Sequence, residues 1–180
     1  DQYDKAAQSY LNALKMGRLN SQAPTIGTRL VFCFGQEGRL LEAAAIASYL
    51  GDVFPQAEQT PLALLQVGQL FFQKAQGLPD GEEKENQLAD AMQIWGQFVR
   101  TAPDHPKAPD IAFFLAEMKY AAAEKLAAKS REVKDVREKE RIKEEARKKF
   151  LEAVPHYETM LDLFPATPQG VRALYKLGWV

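Results

Sequence analysis

The sequence contains few of the residues that form disulfide, metal or thiol sites. Cys33 is the only cysteine among 180 residues, so an internal disulfide is impossible. It lies within an apolar run, which is typical of a small buried hydrophobe rather than a reactive thiol. His105 and His156 are the only histidines. Neither has a second His or Cys at the spacing of a metal site, so both are predicted to be ordinary surface or loop side chains.

Catalytic and phosphate-binding motifs are also missing. The sequence has no glycine-rich dinucleotide motif, no phosphate-binding loop and no Gly-x-Ser-x-Gly nucleophile motif. Carboxylates are frequent, but they lie in charge runs, and no pair stands alone on an apolar background as catalytic pairs usually do. We therefore predict that the chain is not an enzyme and binds neither cofactor nor metal.

Long apolar runs and a strong net charge are absent as well. No stretch of about eighteen apolar residues occurs, so no membrane span is predicted, and no signal peptide is visible. The net charge is -1 at pH 7, so the whole molecule has no bulk attraction for nucleic acid or anionic lipid. The chain starts at Asp1 and stops at Val180 inside helical patterns, which indicates a piece of a longer protein.

A pattern that occurs three times is the most informative feature present. In each copy an alanine precedes a proline by twelve residues, and another apolar helical pattern follows. The pairs are Ala43 and Pro55, Ala91 and Pro103, and Ala153 and Pro165. A single helical hairpin cannot bury its apolar face alone, so such a repeat predicts hairpins that stack and share one core.

Threonine and proline residues predict where several helices begin and end. Thr25 is predicted to cap a helix after Pro24, and Thr60-Pro61 and Thr167-Pro168 are predicted to open two more. Pro155 lies inside a helical pattern, where it is predicted to kink the helix or mark a restart.

A charge-rich segment separates the second and third copies of the pattern. Residues 129–149 include ten basic and six acidic side chains, a net charge of about +4. The third repeat must close its hairpin, so a bend is predicted near Lys129–Asp135. The result is an extended charged hairpin at approximately 121–150.

The mixed charges of this hairpin favour a solvated, salt-bridged arm. Pairs at i, i+4 spacing would stabilise it, such as Glu144 with Lys148 and Glu145 with Lys149. No aromatic residues are interleaved for base stacking, so nucleic-acid binding is disfavoured. A thin apolar stripe would allow pairing with another chain; it consists of Val133, Val136, Ile142 and Ala146.

The repeated pattern resembles the tetratricopeptide repeat, in divergent form. The residues that fit its first helix are Leu64, Val67-Gly68, Phe71, Leu174 and Leu177-Gly178. Those that fit its second helix are Ala91, Trp95, Pro103, Ala153, Tyr157 and Pro165, whereas Ala47 replaces the expected aromatic in the first copy. The resemblance implies an all-α, right-handed superhelical stack forming a single domain over residues 1–180. Its repeats would span residues 3–24 (partial), 25–57, 58–105, 106–166 and 167–180 (partial).

Family resemblance also implies a concave face, lined by the first helix of each repeat, where partners bind. Carried over to this sequence, that face includes Arg29, Phe32, Gln69, Phe72, Phe113, Glu117, Tyr120, Arg172, Tyr175, Lys176 and Trp179. Core packing is the alternative for Phe32, Phe72 and Phe113, and packing on a further helix is the alternative for Tyr175 and Trp179. Thr28 and Phe32 stand where the family's carboxylate clamp has Lys and Asn, which disfavours binding of chaperone tails.

We therefore expect a protein–protein interaction scaffold or adaptor region of a larger bacterial protein, with a protein or peptide as partner. The segment Phe164–Gly178 looks like repeats of bacterial cell-envelope assembly proteins, which slightly favours the envelope or periplasm over the cytoplasm. Two alternatives stay open. The chain is a self-associating segment that pairs through the charged hairpin, or it is a helical accessory domain of an enzyme.

Overall fold

The computed structural model describes residues 2–16 and 21–178, and this part of the chain contains eight helices and no strand. The helices are α1 (Gln2–Met16), α2 (Ala23–Gln36), α3 (Leu40–Val53), α4 (Gln59–Gln76), α5 (Glu82–Thr101), α6 (Ala108–Glu132), α7 (Val136–Leu163) and α8 (Pro168–Leu177). The all-α prediction is confirmed. The chain divides after His105 into two compact units, and the assignment of residues 1–180 to one repeat domain stays a prediction.

Helices α1 to α5 form the first unit. Each helix packs on the next one in sequence, and the alternate pairs α2 with α4 and α3 with α5 also pack. Apolar side chains at helical spacing meet in one core, in which the largest fully buried side chains are Leu30, Val31, Leu50, Leu64, Val67, Phe71 and Phe98. Cys33 is also buried, as predicted.

Two glycines allow close approach between helices of this unit. A methyl group on Gly68 of α4 would collide with the indole ring of Trp95 on α5. A methyl group on Gly27 of α2 would lie 2.9 Å from Cδ2 of Leu50 on α3. Both approaches bring large side chains against bare backbone, which increases the apolar surface that the hairpins bury.

Helices α6 to α8 form the second unit, in which α6 and α7 make a long antiparallel hairpin and α8 packs on both. The chain leaves the helical conformation at residues 133–135, inside the window predicted for the bend. The Asp135 carboxylate accepts a hydrogen bond of 2.8 Å from the Glu138 amide and so caps α7. Helix α6 extends to Glu132, because five alanines in residues 121–128 continue the helical pattern.

The three proline-marked helix ends have the same local geometry. The residues before the prolines are Phe54, Ala102 and Phe164. Their φ angles lie between -129° and -137°, and their ψ angles lie between 42° and 63°. Each donates its amide to the carbonyl four residues earlier, at 2.8 to 2.9 Å. The alanine that stands twelve residues before each proline has no exposed surface. The sequence repeat is therefore also a repeat of backbone conformation and burial.

The predicted N-cap of α2, Thr25, is wrong by three residues, because the N-cap position is Gln22. The helix begins at Ala23, with Pro24 in its first turn, and no side chain at Gln22 caps it. Thr25 lies inside the helix because proline is well tolerated in the first turn, where its missing N–H has no partner to lose.

Thr60 is likewise not the N-cap of α4, which begins at Gln59. Thr60 is fully buried, and its hydroxyl donates to the carbonyl of Phe54 at 2.8 Å. The end of α3 leaves this carbonyl without a helical partner, so it accepts from the threonine and also from the Ala57 amide at 3.1 Å. Thr167, by contrast, does cap α8, since its hydroxyl accepts from the Gly170 amide at 3.1 Å.

Helix α7 continues through Pro155, so the predicted restart is wrong. Proline removes the amide that would bond the carbonyl of Leu151. Both Pro155 and Leu151 are exposed, so solvent replaces the lost hydrogen bond and the helix persists.

Candidate partner-binding surfaces

The first unit contains an open groove of about 480 Å³ between α1, α2 and α4, which we call the α1–α2–α4 groove. The side chains that define it are Tyr3, Tyr10, Thr28, Arg29, Phe32 and Gln66. Arg29 and Phe32 stand three residues apart on α2 and therefore share a helix face. Two of the residues predicted for the concave face thus line one cavity.

Aromatic rings form one wall of this groove. Tyr3 and Phe32 meet edge to face, with ring centroids 5.9 Å apart. They keep 39% and 44% of their surface exposed, so Phe32 is not a core residue. Tyr10 is half-buried on the same side of α1.

The helical spacing of the apolar residues in α1 predicts that Tyr3 lies on its buried face, and this prediction is wrong because Tyr3 keeps 39% of its surface exposed. Within its unit α1 packs on α2 alone, and only a narrow stripe with Ala7 and Leu14 is buried. Tyr3, Tyr10 and Gln66 were therefore missed as groove residues. The signal available was that two tyrosines seven residues apart share a helix face, and tyrosine tolerates partial exposure.

Arg29 contributes a positive charge to the groove. Its side chain is exposed and forms no ion pair or hydrogen bond with any residue of the described ranges. Arg39, in the turn between α2 and α3, differs from Arg29 because it forms ion pairs. Its guanidinium group lies 3.4 Å from the Asp4 carboxylate and 2.9 Å from the Glu42 carboxylate. The groove thus presents a guanidinium group that no side chain of residues 2–16 and 21–178 neutralises.

Gln69 and Phe72 lie on α4 but do not line the groove. Gln69 is exposed. Phe72 is half-buried and packs against Trp95, with ring centroids 5.5 Å apart. Phe72 therefore contributes to packing between α4 and α5, the alternative that the sequence left open.

In the second unit, four side chains form a contact network that joins its three helices. The Tyr157 hydroxyl of α7 donates to Glu117 Oε1 of α6 at 2.5 Å. Glu117 Oε2 lies 3.5 Å from the Lys176 ammonium group of α8. The same ammonium group lies 4.1 Å from the ring centroid of Tyr120, a cation–π contact. We call this set the Tyr157 network.

The Tyr157 network engages three of the seven concave-face residues predicted for this unit, namely Glu117, Tyr120 and Lys176. Tyr157 is fully buried; burial, followed by its hydrogen bond to Glu117, raises the pKa of its phenol well above the usual range, so it remains a donor. Phe113 lies 6.4 Å from the Tyr157 ring and is half-buried. Lys176 therefore forms an ion pair with Glu117 and a cation–π contact with Tyr120 inside the unit.

Helix α8 presents the exposed remainder of the predicted set. Arg172 is exposed, and Tyr175 keeps 66% of its surface accessible beside the exposed Val171 and Leu174. Trp179 lies outside the described residues.

The charged hairpin pairs its side chains differently from the prediction. Glu145 contacts Arg141 at 3.6 Å, and Lys149 contacts Glu152 at 2.9 Å, so neither forms the predicted pair with the other. Arg141 also binds Glu138 at 2.7 Å, which lowers the pKa of the Glu138 carboxyl. Glu144 and Lys148 form no ion pair within the described residues.

The apolar stripe of the hairpin is largely used inside the unit. Ile142 and Ala146 are each 3% exposed and lie on the side of α7 that packs against α6. Val136 alone of the stripe is strongly exposed, at 72%. The stripe therefore cannot pair as a whole with another chain while the hairpin is closed.

The two histidines occupy different environments. His105 lies in the loop after α5, with its ring 5.2 Å from that of Phe98. His156 lies in α7 and is half-buried, so of the two predicted environments, surface or loop, the loop is wrong. Burial lowers the pKa of its imidazole, with a smaller effect from Lys119.

Residues 2–16 and 21–178 contain no cluster of three or more His, Cys, Asp or Glu side chains placed to hold a metal ion. None of the described helices is both long and apolar enough to cross a bilayer. No protein-family model matches the chain, and none of the curated proteins is significantly similar to it in sequence.

Proposed function

We propose that this chain is a helical-repeat scaffold that binds a protein or peptide partner in the α1–α2–α4 groove. The observation that carries the proposal is the groove itself, where an exposed aromatic pair lies beside an arginine that has no ion-pair partner among the described residues. Aromatic and arginine side chains contribute most of the binding energy at many protein interfaces. The cavity volume falls within the range of pockets that enclose ligand groups.

Three observations support a tetratricopeptide-like stack as the scaffold. Alternate helices pack on each other, α2 on α4, α3 on α5 and α6 on α8. The three helix ends before the repeated prolines share backbone angles. Ala43, Ala91 and Ala153 are fully buried, as expected for positions where two helices approach closely. In such a stack the first helices of the repeats line one face, and α2 and α4 would be two of them.

Site-specific photo-cross-linking in cells of the source organism tests the proposal. A photoreactive phenylalanine analogue at position 32 is expected to form discrete adducts with a partner protein. The matched control carries the analogue at Leu62, which is 53% exposed on α4 but does not line the groove. Equal adducts at both positions, or adducts at neither, would contradict the proposal.

Self-association through the hairpin has less support, because its predicted contact residues Ile142 and Ala146 are already buried. Light scattering of the intact chain and of a version lacking residues 131–147 distinguishes the two functions. We expect a monomer in both cases, and a dimer lost on deletion would favour self-association.

A further inference from the structure

We propose that the α1–α2–α4 groove selects an acidic peptide segment, in which an Asp or Glu carboxylate binds Arg29 while an adjacent apolar side chain packs on Tyr3 and Phe32. The inference rests on the proposed function, to which it adds the chemistry of the partner.

Charge complementarity is the first step. Arg29 is the only charged side chain among the described residues that line the groove, and no carboxylate is among them. Arg29 also has no ion-pair partner elsewhere in the described residues. A guanidinium group binds a carboxylate through two parallel hydrogen bonds, and the surrounding low-dielectric walls of a cleft strengthen the attraction. A partner with a carboxylate thus supplies the negative charge that is missing among the described lining residues.

The aromatic wall determines what stands next to that carboxylate. Tyr3 and Phe32 hold each other edge to face and remain more than one-third exposed. Rings fixed in this way lose little conformational entropy on binding. Because the rings are apolar and exposed, they favour contact with an aromatic or branched apolar side chain. Phe32 stands one helical turn from Arg29, so the two recognised groups must be close neighbours in the ligand.

Gln66 favours a peptide over a small carboxylic acid. It lines the groove from α4 and forms no side-chain hydrogen bond within the described residues. A carboxamide can donate to a peptide carbonyl and accept from a peptide N–H at the same time. Thr28 does not compete for this role, since its hydroxyl already lies 2.9 Å from the Pro24 carbonyl and 3.4 Å from that of Gln59.

A peptide selection identifies the preferred ligand. A phage-displayed library of random twelve-residue peptides is panned on the 180-residue chain, and the selected peptides are synthesised with a fluorophore. We expect enrichment of Asp or Glu next to an aromatic or branched apolar residue. For each peptide, a control peptide is also made in which the Asp or Glu is changed to Asn or Gln. Fluorescence polarisation gives the dissociation constants of both.

The Arg29→Gln variant, measured with the acidic peptide and its amide, then completes a double-mutant cycle. Arg29→Lys and Arg100→Gln are measured beside it. Arg100 is the matched control, because it is an exposed arginine of the same unit that does not line the groove. Arg29→Gln is expected to weaken binding of the acidic peptide by about tenfold or more and to leave binding of the amide peptide unchanged. Arg29→Lys recovers part of the loss because it keeps the charge without the planar fork. Circular dichroism confirms that each variant is folded.

Three results with peptides would overturn the inference. They are selection without an acidic preference, equal losses for the acidic and amide peptides, and no peptide selected at all. Cross-linking at position 32 distinguishes a failure of the acidic-peptide inference from a failure of the proposed function. If the cellular adduct persists in the Arg29→Gln chain, the groove binds a partner whose recognition is not acidic. Tight binding of free glutamate or of succinate, equal to that of the peptide, would assign the groove to small carboxylic acids instead.

Discussion

At the scale of single residues, the Tyr157 hydroxyl contributes a buried hydrogen bond to the stability of the second unit. It is fully buried and bonds a carboxylate that is itself held by an ammonium group from another helix. A hydrogen bond to a charged acceptor contributes more than one between neutral groups, and its contribution grows when the donor is shielded from water. The residue therefore offers a test of what holds α6, α7 and α8 together.

Tyr157→Phe should lower the free energy of unfolding by about 1 to 2 kcal/mol. The loss stays at the lower end for such bonds because Lys176 and solvent still satisfy Glu117, whose side chain is 34% exposed. Urea denaturation followed by circular dichroism measures the change.

Tyr120→Phe is the matched control for this substitution. It removes a hydroxyl that forms no hydrogen bond within the described residues, while its ring keeps the contacts with Phe150 and Lys176. A loss as large as that of Tyr157→Phe would show that the hydrogen bond to Glu117 does not explain the effect.

At the scale of elements, the approach of α4 to α5 depends on a missing side chain. The Trp95 indole ring occupies the space that a Cβ on Gly68 would need. Gly68→Ala should therefore destabilise the first unit by about 1 to 3 kcal/mol, because the ring and a helix must move apart. The midpoint of thermal unfolding is the measurement, and a fall of several degrees is expected.

Gly96→Ala is the control for helix propensity. Gly96 lies on α5, where an added methyl group would meet only the mobile end of Arg100, at 3.5 Å. This substitution should stabilise the chain by about 0.5 to 1 kcal/mol, since alanine favours a helix more than glycine does. If both substitutions shift the midpoint in the same direction, the close approach at Gly68 does not limit the packing of α4 on α5.

Elements of this chain were predictable where local chemistry decides them. The alanine–proline spacing and the i, i+3, i+4 pattern predict the helices, and the need to close a hairpin predicts the bend near Lys129–Asp135. Thr60 shows where local chemistry fails, because its hydroxyl satisfies a carbonyl of the preceding helix instead of capping its own. The periodic pattern alone cannot distinguish a threonine that caps a helix from one that joins two.

The candidate site was predictable only in part, for a different physical reason. Arg29 and Phe32 follow from one helix face, but the contact of Phe32 with Tyr3 joins α2 to α1. The bond between Tyr157 and Glu117 joins residues 40 positions apart. Such contacts depend on how helices cross, which helical periodicity does not specify. The sequence therefore identified exposed and buried faces better than the partners of individual side chains.

At the scale of the whole molecule, the division after His105 predicts which cuts the fold tolerates. The first unit buries its own set of large apolar side chains, and the second contains the complete Tyr157 network. We expect fragments 1–105 and 106–180, expressed separately, to give circular dichroism spectra that sum to that of the intact chain. Tyr157→Phe should then shift the unfolding of 106–180, and Gly68→Ala that of 1–105.

A second cut, between Gly77 and Leu78, provides the contrast. It falls in a loop too, but it separates α4 from α5, whose contact includes the Trp95 ring over Gly68. Fragment 1–77 loses the indole that covers α4, so apolar surface becomes exposed and its helices lose the packing that stabilises them. Fragments 1–77 and 78–180 should therefore show less summed helix than the intact chain. If instead the cut after His105 costs as much helix as this one, the chain folds as one cooperative unit, which is the outcome that the prediction of a single repeat domain requires.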